Sequence, residues 1–145
     1  MDARYRLAPM REARARHERV QKGDLAGALR EAEVLAGDLE AASRRVAQAR
    51  AAIEAATATR DRALTRGVAS TTLTHVEHYL HRLRRDLEAA RGELARAEAR
   101  HAGQLEAVDA AQGRLRLARA EREIIERHFA AWRAERHKRA ERRAD

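Results

Sequence analysis

The chain has 145 residues and a formal net charge of +8; 37% of its residues are charged and 3% are aromatic. Much of the apolar content is alanine, which buries little area, so the composition argues against a wide core and favours long helices packed along a narrow seam. Cysteine is absent, which excludes disulfides, zinc–thiolate sites and thiol catalysis. No apolar stretch approaches the ~20 residues of a membrane span and no secretory signal is recognisable, so we expect a cytoplasmic protein.

The first predicted element is a helix over about residues 9–66. From Leu25 to Ile53 an apolar residue recurs every seven positions, and a second apolar series follows three residues behind it. These are the a and d positions of a heptad repeat, the pattern of a coiled coil.

Upstream of Leu25 the helical spacing passes to another set of residues, namely Met10, Ala13, His17 and Val20. The step from Val20 to Leu25 is five residues long and lies beside two glycines. A phase shift, bend or frayed joint is therefore expected at 21–27.

A loop is predicted at about 67–71, followed by a second helix over about 72–140. Gly67 can supply the left-handed cap that ends the first helix, and the Ser/Thr run at 70–72 can cap the second. A second heptad series begins at Leu73 and continues to Trp132. A short polar connection between two helices makes them antiparallel neighbours.

Folding the sequence at this loop gives a register in which paired residue numbers add to about 136. Most layers then set a bulky side chain against alanine, as in Ala49 with Leu87, which fills the seam without voids. A parallel homodimer would instead alternate wide and empty layers. We therefore predict an all-α fold in which 1–145 forms one antiparallel coiled-coil hairpin, monomeric in the absence of a partner.

The excess positive charge is confined to the two terminal segments. Residues 1–22 carry seven Arg/Lys against three acids, and so do residues 127–145, whereas 23–126 is neutral. The hairpin would bring both segments to one basic end. Lys/Arg clusters bind phosphate backbones, so a nucleic-acid-binding coiled coil is an alternative, although acids are interspersed and no recognition motif is present.

Several polar residues near or within the second heptad series have two interpretations. His75, His78 and His81 recur every three residues and could bind a transition metal, or could form a solvated or partner-facing surface. His101 and Gln104 occupy neighbouring a and d positions, where they could fix the register or receive an inserted partner.

Phe129 and Trp132 fall at a and d positions opposite the N-terminal segment. They could close the open end of the hairpin, anchor a protein partner, or do both. The sequence contains no Gly-rich phosphate loop, paired catalytic carboxylates or nucleophile elbow. We therefore expect neither an enzyme nor a resident cofactor or metal.

Two stretches carry a resemblance to a known family. They are the opening Tyr5–Arg11 with its Arg-rich helix start, and the turn at 67–70 followed by His78–Leu83, all set in a hairpin of heptads. In these features the chain resembles the stalk proteins of type III secretion systems, the SctO/YscO family of injectisomes, and their flagellar counterpart FliJ. The opening is less leucine-rich than the flagellar pattern, which favours an injectisome, with the flagellar export system as the alternative.

The resemblance implies a central stalk that links a hexameric secretion ATPase to the export gate in the inner membrane and binds escort chaperones. The terminal segments would enter the ATPase, with contact residues at Arg11, Arg14, Phe129, Trp132, Arg133 and Arg136. The loop end would face the gate through Val76, Tyr79, Leu80 and Leu83. A generic coiled-coil scaffold or adaptor is the alternative.

Overall fold

The computed structural model describes residues 4–144, which form two long α-helices and no strand. Helix α1 is Ala8–Arg66 and helix α2 is Ser70–Ala144, of 59 and 75 residues. The predicted all-α hairpin of two long helices is confirmed. Helix α2 begins two residues earlier and ends four residues later than the predicted 72–140. Helix α1 continues through 21–27, so the expected irregularity does not interrupt the helix.

Helix α1 starts from a turn whose backbone is hydrogen-bonded. The amide of Ala8 donates to the carbonyl of Tyr5 over 3.1 Å, and the amide of Arg11 donates to the carbonyl of Leu7 over 2.9 Å. Pro9 lies in the first turn, where its missing amide hydrogen has no helical partner to lose. The turn fixes Tyr5 beside the start of the helix.

Gly67 ends helix α1 in the left-handed conformation, with φ of +73°. Its amide donates to the carbonyl of Leu64 over 3.3 Å, which satisfies one of the free carbonyls at the helix end. Helix α2 then begins at Ser70, and the carbonyl of Ala69 accepts its first bond, from the amide of Leu73. Ala69 therefore occupies the cap position that the sequence analysis gave to a residue of 70–72.

The hairpin divides into two compact units. The loop unit is Glu31–Leu105; the terminal unit is the chain up to Arg30 together with Glu106 onward. In the loop unit, ion pairs join Arg45 to Glu93 over 3.1 Å and Arg60 to Glu77 over 3.3 Å. The later residue of α1 pairs with the earlier residue of α2, so the helices are antiparallel. Both ion pairs agree with the predicted register to within two residues.

The core of the loop unit is the predicted seam of large and small side chains. Leu80 is completely buried. The other buried apolar residues occupy a and d positions and are Ala32, Ala42, Val46, Ala56, Leu87 and Ala97. Alanine supplies four of these six, which keeps the seam narrow.

The core of the terminal unit is unequal between its helices. Helix α2 contributes buried apolar side chains at Val108, Ala111, Leu115, Ala118 and Ile125. Helix α1 contributes Glu18 and Gln21, the two buried polar residues in the described part of the chain, and the Oε1 atom of Gln21 has no hydrogen-bond partner there.

Candidate protein-interaction site

The predicted heptad continues without a phase shift into the first turns of α1. Counting back by sevens from Leu25 and Ala28 places polar residues at the a and d positions: Arg11, Arg14, Glu18 and Gln21. Met10 and Val20, which the sequence analysis placed on the helical face upstream of Leu25, are 47% and 56% exposed. The predicted helical face upstream of Leu25 is therefore wrong, because the seven-residue period, and not the spacing of the apolar residues, determines which side chains lie in the seam. The seam of α1 before Leu25 is polar.

Glu18 is the centre of an ionic cluster within this seam. Its side chain is 5% exposed, and one carboxylate oxygen accepts from Nη1 of Arg122 over 2.6 Å. Lys22 lies 3.3 Å and Arg119 lies 3.7 Å from its other oxygen. The Arg122 hydrogen bond, opposed by desolvation, lowers the pKa of Glu18, and Glu18 raises the pKa of Arg122. A nearly buried charge is stable here because cations from both helices surround it.

Two further ion pairs connect the helices of the terminal unit. Arg11 donates to Glu126 over 2.8 Å, and Arg14 donates to Glu121 over 2.6 Å. The hydrogen bond from Arg11 lowers the pKa of Glu126, and the same bond raises the pKa of Arg11. Arg11 and Arg14, predicted to contact an ATPase, are therefore already paired within the chain.

An aromatic cluster joins the turn before helix α1 to helix α2. Tyr5 is 8% exposed, with its ring centroid 5.0 Å from that of Phe129 and 5.1 Å from that of Trp132. Its hydroxyl lies 2.7 Å from Nδ1 of His128, a hydrogen bond. Phe129 and Trp132 remain half-buried. The cluster thus packs the N-terminal turn onto α2 and still leaves aromatic surface accessible.

Arginine side chains cover the accessible faces of this cluster. The guanidinium of Arg11 lies 4.0 Å from the centroid of Phe129, and that of Arg133 lies 5.8 Å from it. Arg136 lies 5.1 Å from the centroid of Trp132. Guanidinium groups bind the faces of aromatic rings, and aromatic and arginine side chains are enriched among the residues that contribute most of the binding energy in protein interfaces.

The part of α2 that follows Trp132 is a basic helix. Every residue from 133 to 144 is exposed, and this segment holds six Arg/Lys against two glutamates. The hydrogen bond from Arg139 to Glu135, 3.0 Å long, lowers the pKa of that carboxyl. An exposed, positively charged helix is suited to an acidic surface on a partner.

The predicted residues of the loop unit differ in accessibility. Tyr79 is 45% exposed and carries Arg82 at 5.5 Å from its ring, whereas Val76 and Leu83 are half-buried. Leu80 is fully buried and cannot itself touch a partner in this conformation.

The polar residues with two interpretations also lie in the loop unit. His75, His78 and His81 are exposed, and His101 and Gln104 are half-buried. Within residues 4–144, no three His, Asp or Glu side chains are grouped so that they could hold a metal ion. In the same residues no helix is long and apolar enough to cross a bilayer.

Comparisons with known proteins give a match in structure and none in sequence. No protein-family model matches the chain, and no curated protein matches it. The fold is similar to that of CT670 from Chlamydia trachomatis, a proposed YscO homologue, with a TM-score of 0.84 and 16% identity over 97% of this chain and 87% of that one. The chain therefore shares its fold with a protein described as a YscO homologue.

Proposed function

We propose that this chain is the central stalk of a type III secretion ATPase, of an injectisome rather than a flagellum. In this role it links the hexameric ATPase to the export gate and binds escort chaperones. The observation that carries the proposal is the fold shared with CT670 over 97% of the chain. Such a stalk would work in the cytoplasm, peripheral to the secretion apparatus in the inner membrane, by contacting proteins rather than by catalysis.

The charge of the terminal unit supports its assignment to the ATPase. Residues 133–144 are all exposed and strongly basic. Phe129 and Trp132 precede them, with Arg133 and Arg136 beside their rings. An acidic collar or pore in the ATPase would complement this surface and speed the encounter. Arg11 and Arg14 act indirectly in this arrangement, because their ion pairs hold α1 against α2.

The exposed side chains of the loop unit are assigned to the export gate. Tyr79 is the most accessible of the four predicted residues, and Val76 and Leu83 add partly exposed apolar surface. Leu80 contributes by holding the two helices together beneath them.

The direct test is reconstitution with the hexameric ATPase of a type III secretion system. Purified chain is expected to co-sediment with the ATPase and to raise its turnover or promote hexamer assembly. The chain with glutamate in place of Arg142 and Arg143, which are exposed and belong to the basic helix, is expected to associate more weakly than the unmodified chain. Absence of both association and stimulation by the unmodified chain would refute the stalk assignment.

A further inference from the structure

Helix α2 carries a second apolar seam on its outer face, away from α1. The residues of this outer seam recur at steps of three and four, with an interruption at 127, and are Ala110, Gly113, Leu117, Ala120, Ile124 and Ala131. Leu117 and Ile124 are 62% and 67% exposed, the highest values among the exposed large hydrophobic residues. Steps of three and four define one face of a helix and, when sustained, a coiled-coil seam.

Charged residues flank the outer seam in a regular order. Arg114 and Arg116 lie on its two sides, and Glu121 and Glu123 follow on the same sides seven residues later. Within residues 4–144 neither arginine forms an ion pair. The pair from Glu123 to Arg127 is 3.8 Å long and exposed, and Glu121 has one carboxylate oxygen bonded to Arg14.

We propose that the outer seam binds the same seam of a second copy of this chain, in antiparallel orientation. When paired residue numbers add to 237, Leu117 meets Ala120 and Ile124 meets Gly113. Each large side chain then faces a small one, as in the seam between α1 and α2. The twofold axis repeats both contacts, which gives four apolar layers. At the ends of the seam, Ala110 and Ala131 face Arg127 and Glu106 in this register.

The flanking charges complement each other in this same register. Arg116 of one copy faces Glu123 of the other, and Arg114 faces Glu121. Each pair occurs twice by symmetry, giving four opposite-charge contacts at the rim of the seam. Complementary flanking charges of this kind set the partner and orientation of coiled coils.

Neighbouring registers are disfavoured by the same residues. A shift of one heptad in one direction sets Glu121 against Glu121 and Glu123 against Glu123. The opposite shift sets Arg114 against Arg114 and Arg116 against Arg116. Like charges in direct opposition destabilise a pairing, so the sequence selects one antiparallel register.

This self-association does not depend on the proposed stalk function. It uses one face of α2 within the terminal unit, and none of the six residues named as ATPase contacts or the four named for the export gate belongs to the seam. It adds a weak, concentration-dependent dimer to the expected monomer, because the contact is narrow and four of its six residues are alanine or glycine.

Sedimentation equilibrium of the full chain, at concentrations reaching about 1 mM, tests the dimer directly. Arg116→Glu places two like-charge contacts in the seam and is expected to weaken dimerisation roughly tenfold. The double variant Arg116→Glu, Glu123→Arg exchanges the two charges and should restore the affinity to within about twofold of the unmodified chain. Circular dichroism and melting temperature establish that each variant is folded.

Apolar variants test the seam itself. Leu117→Gln combined with Ile124→Gln is expected to abolish dimerisation, whereas Val20→Gln, at a position 56% exposed on α1, should leave it unchanged. Since the chain lacks cysteine, a single cysteine introduced at Ala130 can carry a spin label. The distance between the labels of the two copies reports the relative orientation of their helices. Two labels separated by 23 residues along antiparallel helices lie roughly 35 Å apart along the axis.

A chain that stays monomeric throughout the concentration range overturns the proposal. So does a dimer that is unaffected by both Arg116→Glu and the double glutamine variant, because it must use another surface. A label distance well under 20 Å would indicate parallel helices and refute the antiparallel register.

Discussion

Glu18 illustrates how one charged side chain can stabilise a seam that lacks apolar residues on one side. It lies at an a position of α1, 5% exposed, and Arg122 of α2 donates to it over 2.6 Å. Lys22 and Arg119 supply further positive charge from the two helices. The carboxylate therefore connects the helices where the apolar contacts of α2 have no apolar counterpart on α1.

Replacing Glu18 by alanine leaves Arg122 facing a seam without its counter-charge. We expect the melting temperature to fall by roughly 2–5 °C, because the change removes the ionic contacts of Glu18 with both helices, while the remaining Arg122 is 45% exposed and stays hydrated. Glu12→Ala is the matched control, since Glu12 is 75% exposed and lies 3.9 Å from Arg16. Thermal unfolding followed by circular dichroism makes the comparison; equal melting temperatures for the two variants would contradict the structural role of Glu18.

The ion pairs also predict how stability depends on pH. Glu18, Glu126 and Glu135 have pKa values lowered by hydrogen bonds from Arg122, Arg11 and Arg139 respectively. A carboxyl group whose pKa is lowered in the folded state stabilises the fold at pH values above its pKa in the unfolded state, which is about 4.3. This contribution is lost as the pH falls through the pKa of the folded state. Melting temperature should therefore be nearly constant between pH 7 and about 5 and fall steeply below about 4. In the Glu18→Gln variant the melting temperature should decline less steeply at low pH. An equally steep decline would indicate that Glu18 does not contribute to the pH dependence.

At the scale of the helix pair, Leu80 tests the apolar seam of the loop unit. It is completely buried in a seam built largely of alanine. Leu80→Ala should lower the free energy of unfolding by about 2–3 kcal/mol, because it removes buried methyl groups and leaves a cavity. Leu64→Ala, at a position 52% exposed in the same unit, should change it by less than about 0.5 kcal/mol. Urea denaturation of both variants gives the difference; a small effect at Leu80 would mean that the seam relaxes around it.

The turn offers a second test at this scale. Gly67 has a φ of +73°, and no atom would obstruct an added Cβ there, so a substitution acts on the backbone alone. Gly67→Ala should destabilise the chain by about 1 kcal/mol. Gly37, inside α1, also has open space around it, and Gly37→Ala should instead stabilise by up to about 1 kcal/mol through helix propensity. Opposite signs in chemical denaturation are the expected result, and destabilisation by both changes would contradict it.

The heptad period made most of the helix pair predictable. Leu80, Leu87 and Val46 are buried at the positions that the repeat assigns to the seam, and the cross-helix ion pairs agree with the predicted register. The polar seam of the terminal unit was missed because apolar residues were followed where the repeat places Arg11 and Glu18. Counting by sevens would have found it. The partners of these charges depend on side-chain geometry, which periodicity does not specify.

For the molecule as a whole, the fold shared with CT670 indicates that the residues that determine the fold differ from those that determine the choice of partner. This chain and CT670 have similar structures with a TM-score of 0.84 and only 16% identity. Many sequences can satisfy a heptad pattern with a central turn, so the fold constrains individual surface residues weakly. Partner choice must therefore reside in exposed features, of which the basic helix after Trp132 is the most strongly charged.

The basic helix also allows a test of the proposed stalk function. Residues 133–144 are exposed throughout and add no buried contact to the core, so changing their charge should spare the fold. Glutamate at both Arg142 and Arg143 should leave the melting temperature within about 1 °C of the unmodified chain. The same change should weaken association with the hexameric ATPase and reduce the dependence of that association on salt, because fewer opposite charges are brought together.

The matched control replaces two arginines of the loop unit, Arg62 and Arg66, which are also exposed, by glutamate. Both double variants change the net charge by the same amount, so a general electrostatic attraction would weaken equally in the two. A specific role for the basic helix requires weaker ATPase binding only when the change is at Arg142 and Arg143. Fluorescence titrations at low and physiological salt distinguish these outcomes, and equal losses in both variants would remove the basic helix from the proposed interface.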